Sequence, residues 1–150
     1  MSNPRLGVAL VGCGRVAPNH AMAMADHGHD LRLIATCDLK QDKAEAIRNR
    51  YLQELSKRSP EITPEPVHVV QDYRCLLDNP AVDIVAIATD SGSHASIAID
   101  ALEAGNHVLV EKPMALDTRD ARRMKAIAEA RNLRLGLCHQ NRFNPPVQLL

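Results

Sequence analysis

The chain has 150 residues, and its 18 lysines and arginines balance 18 aspartates and glutamates, leaving no net charge when the histidines are neutral. A neutral chain whose only rings besides histidine are Tyr51, Tyr73 and Phe143 is poorly suited to nucleic-acid backbones or base stacking. A hydrophobic share of 45% over one domain's length suits a globular core, and no run approaches the roughly 20 apolar residues that cross a bilayer. The cysteines, Cys13, Cys37, Cys75 and Cys138, are scattered without a CxxC pair, which argues against a zinc finger or a disulfide framework. No apolar signal-like stretch opens the sequence, so a cytoplasmic protein with no membrane partner is expected.

In chain order, Leu6 to Val11 is a short apolar run that reads as a buried strand. Val16 to His27 suits a helix ended near Gly28, and Leu31 to Cys37 is a second strand. Gln41 to Lys57 is rich in helix formers, with Ala44, Ile47, Tyr51 and Leu55 at helical spacing. Arg58 to Pro66 carries three prolines and is a loop. Val67 to Val70 is a short strand, and Asp72 caps a short helix through Leu77. Ile84 to Ala88 is a strand, Ser93 to Ala104 a helix stopped by Gly105, and His107 to Val110 a strand. Asp117 to Arg131 is a helix capped by Asp117 or Thr118, and Leu133 to Cys138 is the last strand. Continuously apolar strands alternating with helices predict an α/β fold, a parallel sheet covered on both faces.

Gly12-Cys13-Gly14-Arg15-Val16-Ala17 fits G-x-G-x-x-G/A between a strand and a helix. Gly12 permits a tight turn, Gly14 lets backbone approach a diphosphate, and Ala17 lets the helix pack close to the sheet. Free amides and the helix dipole then attract phosphate. Without a ligand, the same residues would be only a strand-to-helix turn. Asp38, 26 residues after Gly12, ends the next strand, where a carboxylate accepts ribose hydroxyls and repels a 2′-phosphate. This predicts a doubly wound Rossmann sheet that takes NAD in preference to NADP. Lys40 nearby works against that preference, and Asp38 alternatively caps the following helix.

Two more segments fall at strand ends, where ligands bind in open α/β sheets. These are Thr89-Asp90-Ser91-Gly92-Ser93-His94 and Glu111-Lys112-Pro113. Taken alone, His94 reads as a packed or solvated histidine and Glu111-Lys112 as solvated surface. The ordered set GCGRVA, CDL, ATDSGSH and AGNHVLVEKP resembles the glucose–fructose oxidoreductase, inositol dehydrogenase and rhizopine-catabolism (Gfo/Idh/MocA) family over nearly the whole chain.

That resemblance implies an N-terminal Rossmann domain and a second α/β substrate domain, usually in a homo-oligomer, that oxidise or reduce a hydroxyl of a sugar or nucleotide sugar with NAD(P). It implies Lys112 as the catalytic cation at the reacting oxygen, with Glu111 holding Lys112 and the nicotinamide ribose. Thr89, Ser91 and His94 would line the cofactor, and the Lys112–Pro113 peptide would be cis, a form seen in only about 5–6% of X-Pro bonds. Cofactor contacts would also come from Gly12, Cys13, Gly14, Arg15, Val16 and Asp38.

The segment from Cys138 to Gln148 (CHQNRFNPPVQ) resembles the entry into the substrate domain of UDP-N-acetylglucosaminuronate 3-dehydrogenases. The implied organisation is a dinucleotide domain over 1–139 and the beginning of a second domain over 140–150. The catalytic histidine and most of the substrate pocket would lie in that second domain. The chain alone should therefore bind dinucleotide without turning over sugar, and Phe143, Val147, Leu149 and Leu150 should form a sticky patch. Three alternatives remain: an inositol or simple-sugar dehydrogenase, a non-catalytic dinucleotide sensor, and a metal site on Asp26-His27-Gly28-His29-Asp30. The last matches no standard zinc spacing, and no metal is expected.

Overall fold

The computed structural model describes residues 4–143 and 145–148. Six parallel strands, β1 (Leu6–Val11), β2 (Leu31–Cys37), β3 (His68–Val70), β4 (Ile84–Ile87), β5 (His107–Val110) and β6 (Leu135–Leu137), form one sheet in the order β3-β2-β1-β4-β5-β6. This is the doubly wound Rossmann order, with its reversal between β1 and β4. Strand ends are aligned: Val11 pairs with Cys37 and Ile87, Cys37 with Val70, Ile87 with Val110, and Val110 with Leu137. All six strands therefore deliver their following loops to one rim of the sheet.

Alternation within β1 sorts the two cores. Val8 and Leu10 point into a cluster with α1 (Ala17–Asp26) and α2 (Gln41–Arg58). Ala9 and Val11 point into the opposite cluster, under α4 (His94–Ala104) and α5 (Thr118–Ala130). The short α3 (Arg74–Leu77) adds the buried Leu76 to that second cluster. Both sheet faces are thus covered, which is why the strands read as uninterrupted apolar runs.

Elements fall within two residues of their expected ends. Gly105, at φ +100°, stops α4 in the left-handed conformation. Asp117 caps α5 by accepting the Arg119 amide. Gly28 differs from expectation. The C-cap of α1 is His27, and Gly28 has no left-handed backbone; a Cβ on it would meet Leu55 Cδ1 at 2.8 Å and Ile62 Cδ1 at 2.9 Å. Gly28 is therefore there for the close packing of α2 and its loop, not for helix termination.

Beyond β6, Gln140–Phe143 forms a 3₁₀ turn and Pro145–Gln148 a single helical turn, α6. Of the expected sticky residues, Phe143 is exposed; Leu149, Leu150 and the side chain of Val147 lie outside the described residues. Among the described residues, no helix is long and apolar enough to cross a membrane.

Candidate functional site

The glycine turn sits where β1 hands over to α1 at the reversal point of the sheet. Gly12 has φ +92°, and its amide donates to the Cys37 carbonyl at 2.8 Å. A Cβ there would stand 2.5 Å from the Ala88 carbonyl carbon and the Thr89 nitrogen. Both conformation and the crossing β4 loop therefore require glycine. Gly14 differs: a Cβ there would meet nothing within 4 Å. The space beside it belongs to a cleft of about 630 Å³ lined by Gly12, Gly14, Arg15, Val16, Asp38 and Thr89, among others. That volume lies in the range of ligand pockets. The protein's own packing does not need Gly14 bare, whereas a diphosphate lying on the backbone does.

Asp38 ties the turn to the end of β2. Its Oδ2 accepts the Cys13 amide at 2.9 Å and its Oδ1 the Lys40 amide at 2.9 Å. The Lys40 bond lies at the approach to α2, whose N-cap residue makes no side-chain cap bond. Each carboxylate oxygen has a lone pair left for a hydroxyl. Cys13 is buried, and burial, with Asp38 and Cys37 adding to it, pushes its thiol up to about 12. Its side chain is part of the α1 core.

Thr89 and Asp90 carry the loop after β4 along the cleft. The Ser93 hydroxyl donates to Asp90 Oδ2 at 2.8 Å, and this bond is the main reason the Asp90 carboxyl lies below its usual range. Ser91 is half-buried on this loop. His94 is 1% exposed, with Nδ1 2.7 Å from the Pro113 carbonyl and Nε2 3.2 Å from the Thr89 carbonyl. It thus braces two site loops from behind and presents no surface to the cleft.

The Glu111-Lys112-Pro113 turn leaves β5 with the Lys112–Pro113 peptide cis, as the family resemblance implies. Lys112 is exposed, and among the described residues its ammonium makes no ion pair. Glu111 is the opposite. Its Oε1 lies 2.9 Å from His20 Nε2 on α1, and its Oε2 accepts the Lys112 amide at 3.3 Å. The Cys138 thiol also bonds it; burial first, then Glu111, pushes that thiol up to about 11. The helix that starts at the glycine turn therefore touches the turn that carries Lys112, and the two stand at one rim.

Some cleft residues escaped the sequence reading: Lys43, Gln71, Tyr73, Arg74 and Ser96. The Tyr73 hydroxyl donates to Asp100 Oδ2 at 2.6 Å, and the Arg74 guanidinium lies 4.8 Å from the Tyr73 ring centre. A short strand followed by a four-residue helix offers no motif that marks them. The Asp26–Asp30 segment does not gather ligands: Asp26 pairs with Arg58 at 2.6 Å and His29 with Glu61 at 2.7 Å.

Residues 6–139 match the oxidoreductase family with an NAD-binding Rossmann fold designated GFO_IDH_MocA. The chain is 27% identical over 119 residues to inositol 2-dehydrogenase of Salmonella typhimurium, covering 79% of this chain and 32% of that protein. It is 41% identical over 69 residues to UDP-N-acetylglucosamine 3-dehydrogenase of Acidithiobacillus ferrooxidans, covering 46% of this chain and 22% of that protein. Among solved structures, the WlbA dehydrogenase of Chromobacterium violaceum, in complex with NADH and UDP-GlcNAcA, superposes with a TM-score of 0.81 at 32% identity, covering 99% of this chain and 39% of that one. The chain spans about a third of the length of the first curated relatives it matches. By its motifs, its strand order and the extent of the match, the chain belongs to the Gfo/Idh/MocA oxidoreductases and carries their NAD-binding Rossmann domain.

Proposed function

We propose that this chain is the cofactor-binding part of an NAD-dependent dehydrogenase acting on a hydroxyl of a sugar or nucleotide sugar. The observation that carries the reading is the meeting of the glycine-turn helix and the Lys112 turn, through His20 and Glu111, at one rim of the sheet. The empty space beside Gly14 and the free lone pairs of Asp38 fit a dinucleotide.

In this reading the amides of residues 14–16 hold the diphosphate at the N-terminal end of α1, those of Gly12 and Cys13 being bound to Cys37 and Asp38. Arg15 and Val16 take part through that backbone, Cys13 by tying the turn to Asp38, and Asp38 accepts the adenosine ribose hydroxyls. Thr89 and Ser91 border the nicotinamide ribose, while His94 fixes their loop. When bound, NAD supplies the hydride acceptor. Lys112 donates a hydrogen bond to the substrate oxygen, which stabilises alkoxide character and orients the carbon that gives up hydride. Glu111 fixes the backbone of that lysine. Residues 1–139 form the dinucleotide domain, and 140–150 lead into a substrate domain that supplies the general base and completes the sugar pocket.

Likeness to the WlbA dehydrogenase, together with the segment 138–148, supports a nucleotide sugar oxidised at C3, such as UDP-N-acetylglucosaminuronate. Likeness to inositol 2-dehydrogenase supports a polyol as the second reading. The unpaired Lys112 argues against a sensor, which needs no such cation.

Calorimetric titration of this chain tests the cofactor half of the reading. NAD should bind with a stoichiometry of one, and NADP should bind about tenfold or more weakly, the effect of one carboxylate opposite a phosphate. No binding of either dinucleotide would defeat the reading. In the complete enzyme, Lys112→Ala should keep NAD binding and lower kcat by roughly 100-fold or more, and a substrate panel would separate nucleotide sugar from polyol.

A further inference from the structure

Beside the Lys112 turn, outside the lining of the cleft, stands a cluster whose chemistry goes beyond cofactor binding. His20 lies on α1, Glu111 directly follows β5, and Cys138 directly follows β6. One ligand atom from each, the imidazole Nε2 or Nδ1, a carboxylate oxygen and the thiol sulfur, all lie within 4.8 Å of one another. Among the described residues no other three such groups converge in this way.

We propose that His20, Glu111 and Cys138 form a zinc(II) site with one open coordination position.

Three observations carry the proposal. The donor set is nitrogen, oxygen and sulfur from three different elements, the mixed set that zinc accepts. Tetrahedral bonds of about 2.0–2.3 Å place ligand atoms roughly 3.5 Å apart. His20 Nε2 and Glu111 Oε1 stand 2.9 Å apart, so the carboxylate must swing outward and the thiol close in, within the reach of side-chain rotation. Charge also balances: one carboxylate and one thiolate cancel the double charge of the ion, so the loaded site is neutral in surroundings where the His20 and Glu111 side chains are only 14% and 12% exposed. That residual exposure and the half-buried position of Cys138 leave the ligands in contact with solvent, from which the ion and a fourth, water ligand would come.

The exchange balances without any redox step. The thiol loses its proton to solvent as the Zn–S bond forms. The imidazole, which gives its Nε2 proton to the Glu111 hydrogen bond in the free chain, passes through solvent to the tautomer with the proton on Nδ1 and binds through Nε2. The carboxylate binds through one oxygen, and the hydrogen bonds that His20 and Cys138 gave to Glu111 are replaced by bonds to the metal. The ion stays zinc(II) throughout. The site does not depend on the dehydrogenase reading, and it shares no residue with the histidine-rich Asp26–Asp30 segment.

The test uses this chain, reduced and metal-free, titrated with cobalt(II) as the visible probe and then with zinc(II). The expected result is one cobalt per chain, with a thiolate-to-cobalt charge-transfer band that one equivalent of zinc removes. Cys138→Ser should abolish the band, and His20→Asn should weaken zinc binding at least ~10-fold, the scale of a damaged zinc shell. Cys75→Ser, on an exposed residue outside the cluster, should leave both unchanged. Circular dichroism checks that each variant folds. Should Cys138→Ser unfold, zinc-dependent protection of Cys138 from alkylation in the unaltered chain, read by mass spectrometry, takes its place. No band, a band that survives Cys138→Ser, unchanged zinc affinity in His20→Asn, or alkylation of Cys138 at the same rate with zinc would overturn the proposal. A chain that binds zinc but not NAD would sink the dehydrogenase reading alone.

Discussion

The glycine turn and the Lys112 turn, which share one rim of the sheet, are built by opposite means. At the glycine turn, backbone conformation does the work: Gly12 sits at φ +92° against the β4 loop, and Gly14 faces open space. At the Lys112 turn, side chains from distant parts of the chain do it. His20 reaches Glu111 across 91 residues, and His94 reaches the Pro113 carbonyl across 19. The first kind of site is written in a short string of residue types. The second exists only once the sheet is assembled, because its parts meet through topology.

The contrast breaks most visibly at Gly12. Gly12→Ala forces a Cβ to 2.5 Å from backbone and a side chain into left-handed φ, so it should cost roughly 2–5 kcal/mol of stability and abolish NAD binding. Gly14→Ala is the counter-test: its Cβ enters the cleft, so urea unfolding should shift by less than about 0.5 kcal/mol while NAD affinity falls by tenfold or more. Equal loss of stability in both variants would erase the distinction.

At the second turn, His94→Leu removes the buried imidazole that bridges the Thr89 and Pro113 carbonyls. It should destabilise by about 1–3 kcal/mol, with proteolysis beginning in the loops around Thr89 and Pro113. A variant as stable as the parent would show that His94 is not the brace described. Asp38→Ala should weaken NAD binding by about 1–2 kcal/mol while improving NADP relative to NAD. An unchanged ratio of the two affinities in calorimetry would remove Asp38 from cofactor choice.

A smaller effect concerns Tyr73. Burial first, and then its bond to Asp100, push its hydroxyl up to about 12 from an ordinary value of 10. Folding thus favours the protonated form. The contribution, about 1 kcal/mol for such a hydrogen bond, is complete below pH 10 and fades as pH rises through 12. Tyr73→Phe should remove that alkaline step from the stability profile; a step of the same size in the variant would assign it elsewhere.

The legible and illegible parts of the molecule divide along the same line. Gly12, Gly14 and Asp38 are readable because a turn, a close approach and a strand-end carboxylate are local requirements with few chemical solutions. The strand order follows from alternating apolar runs and the family resemblance. His94 was readable as a residue of this region, yet its direction was not: from sequence, a histidine in a first helical turn is as able to face a ligand as to brace a loop. The His20–Glu111–Cys138 meeting and the Tyr73–Arg74 wall had no local mark. Nothing in their own neighbourhoods records that the start of α1 and the ends of β5 and β6 come together. Conversely, the dense Asp26–Asp30 segment offers ligands by count, but its side chains diverge to Arg58 and Glu61.

The rim opposite the cleft has its own polar fastenings: Asp83 accepts the Gly7 amide, Asn106 donates to the Val82 carbonyl, and His107 Nδ1 accepts the Arg134 amide. These knots secure the sheet where no ligand is expected. Fold maintenance and ligand grip are thereby assigned to different ends of the same strands. A laboratory library randomised at Asp38, Lys40, Lys43 and Arg74 should consequently yield altered dinucleotide preferences among mostly well-folded clones, whereas one randomised at Asp83 and Asn106 should yield mostly aggregates.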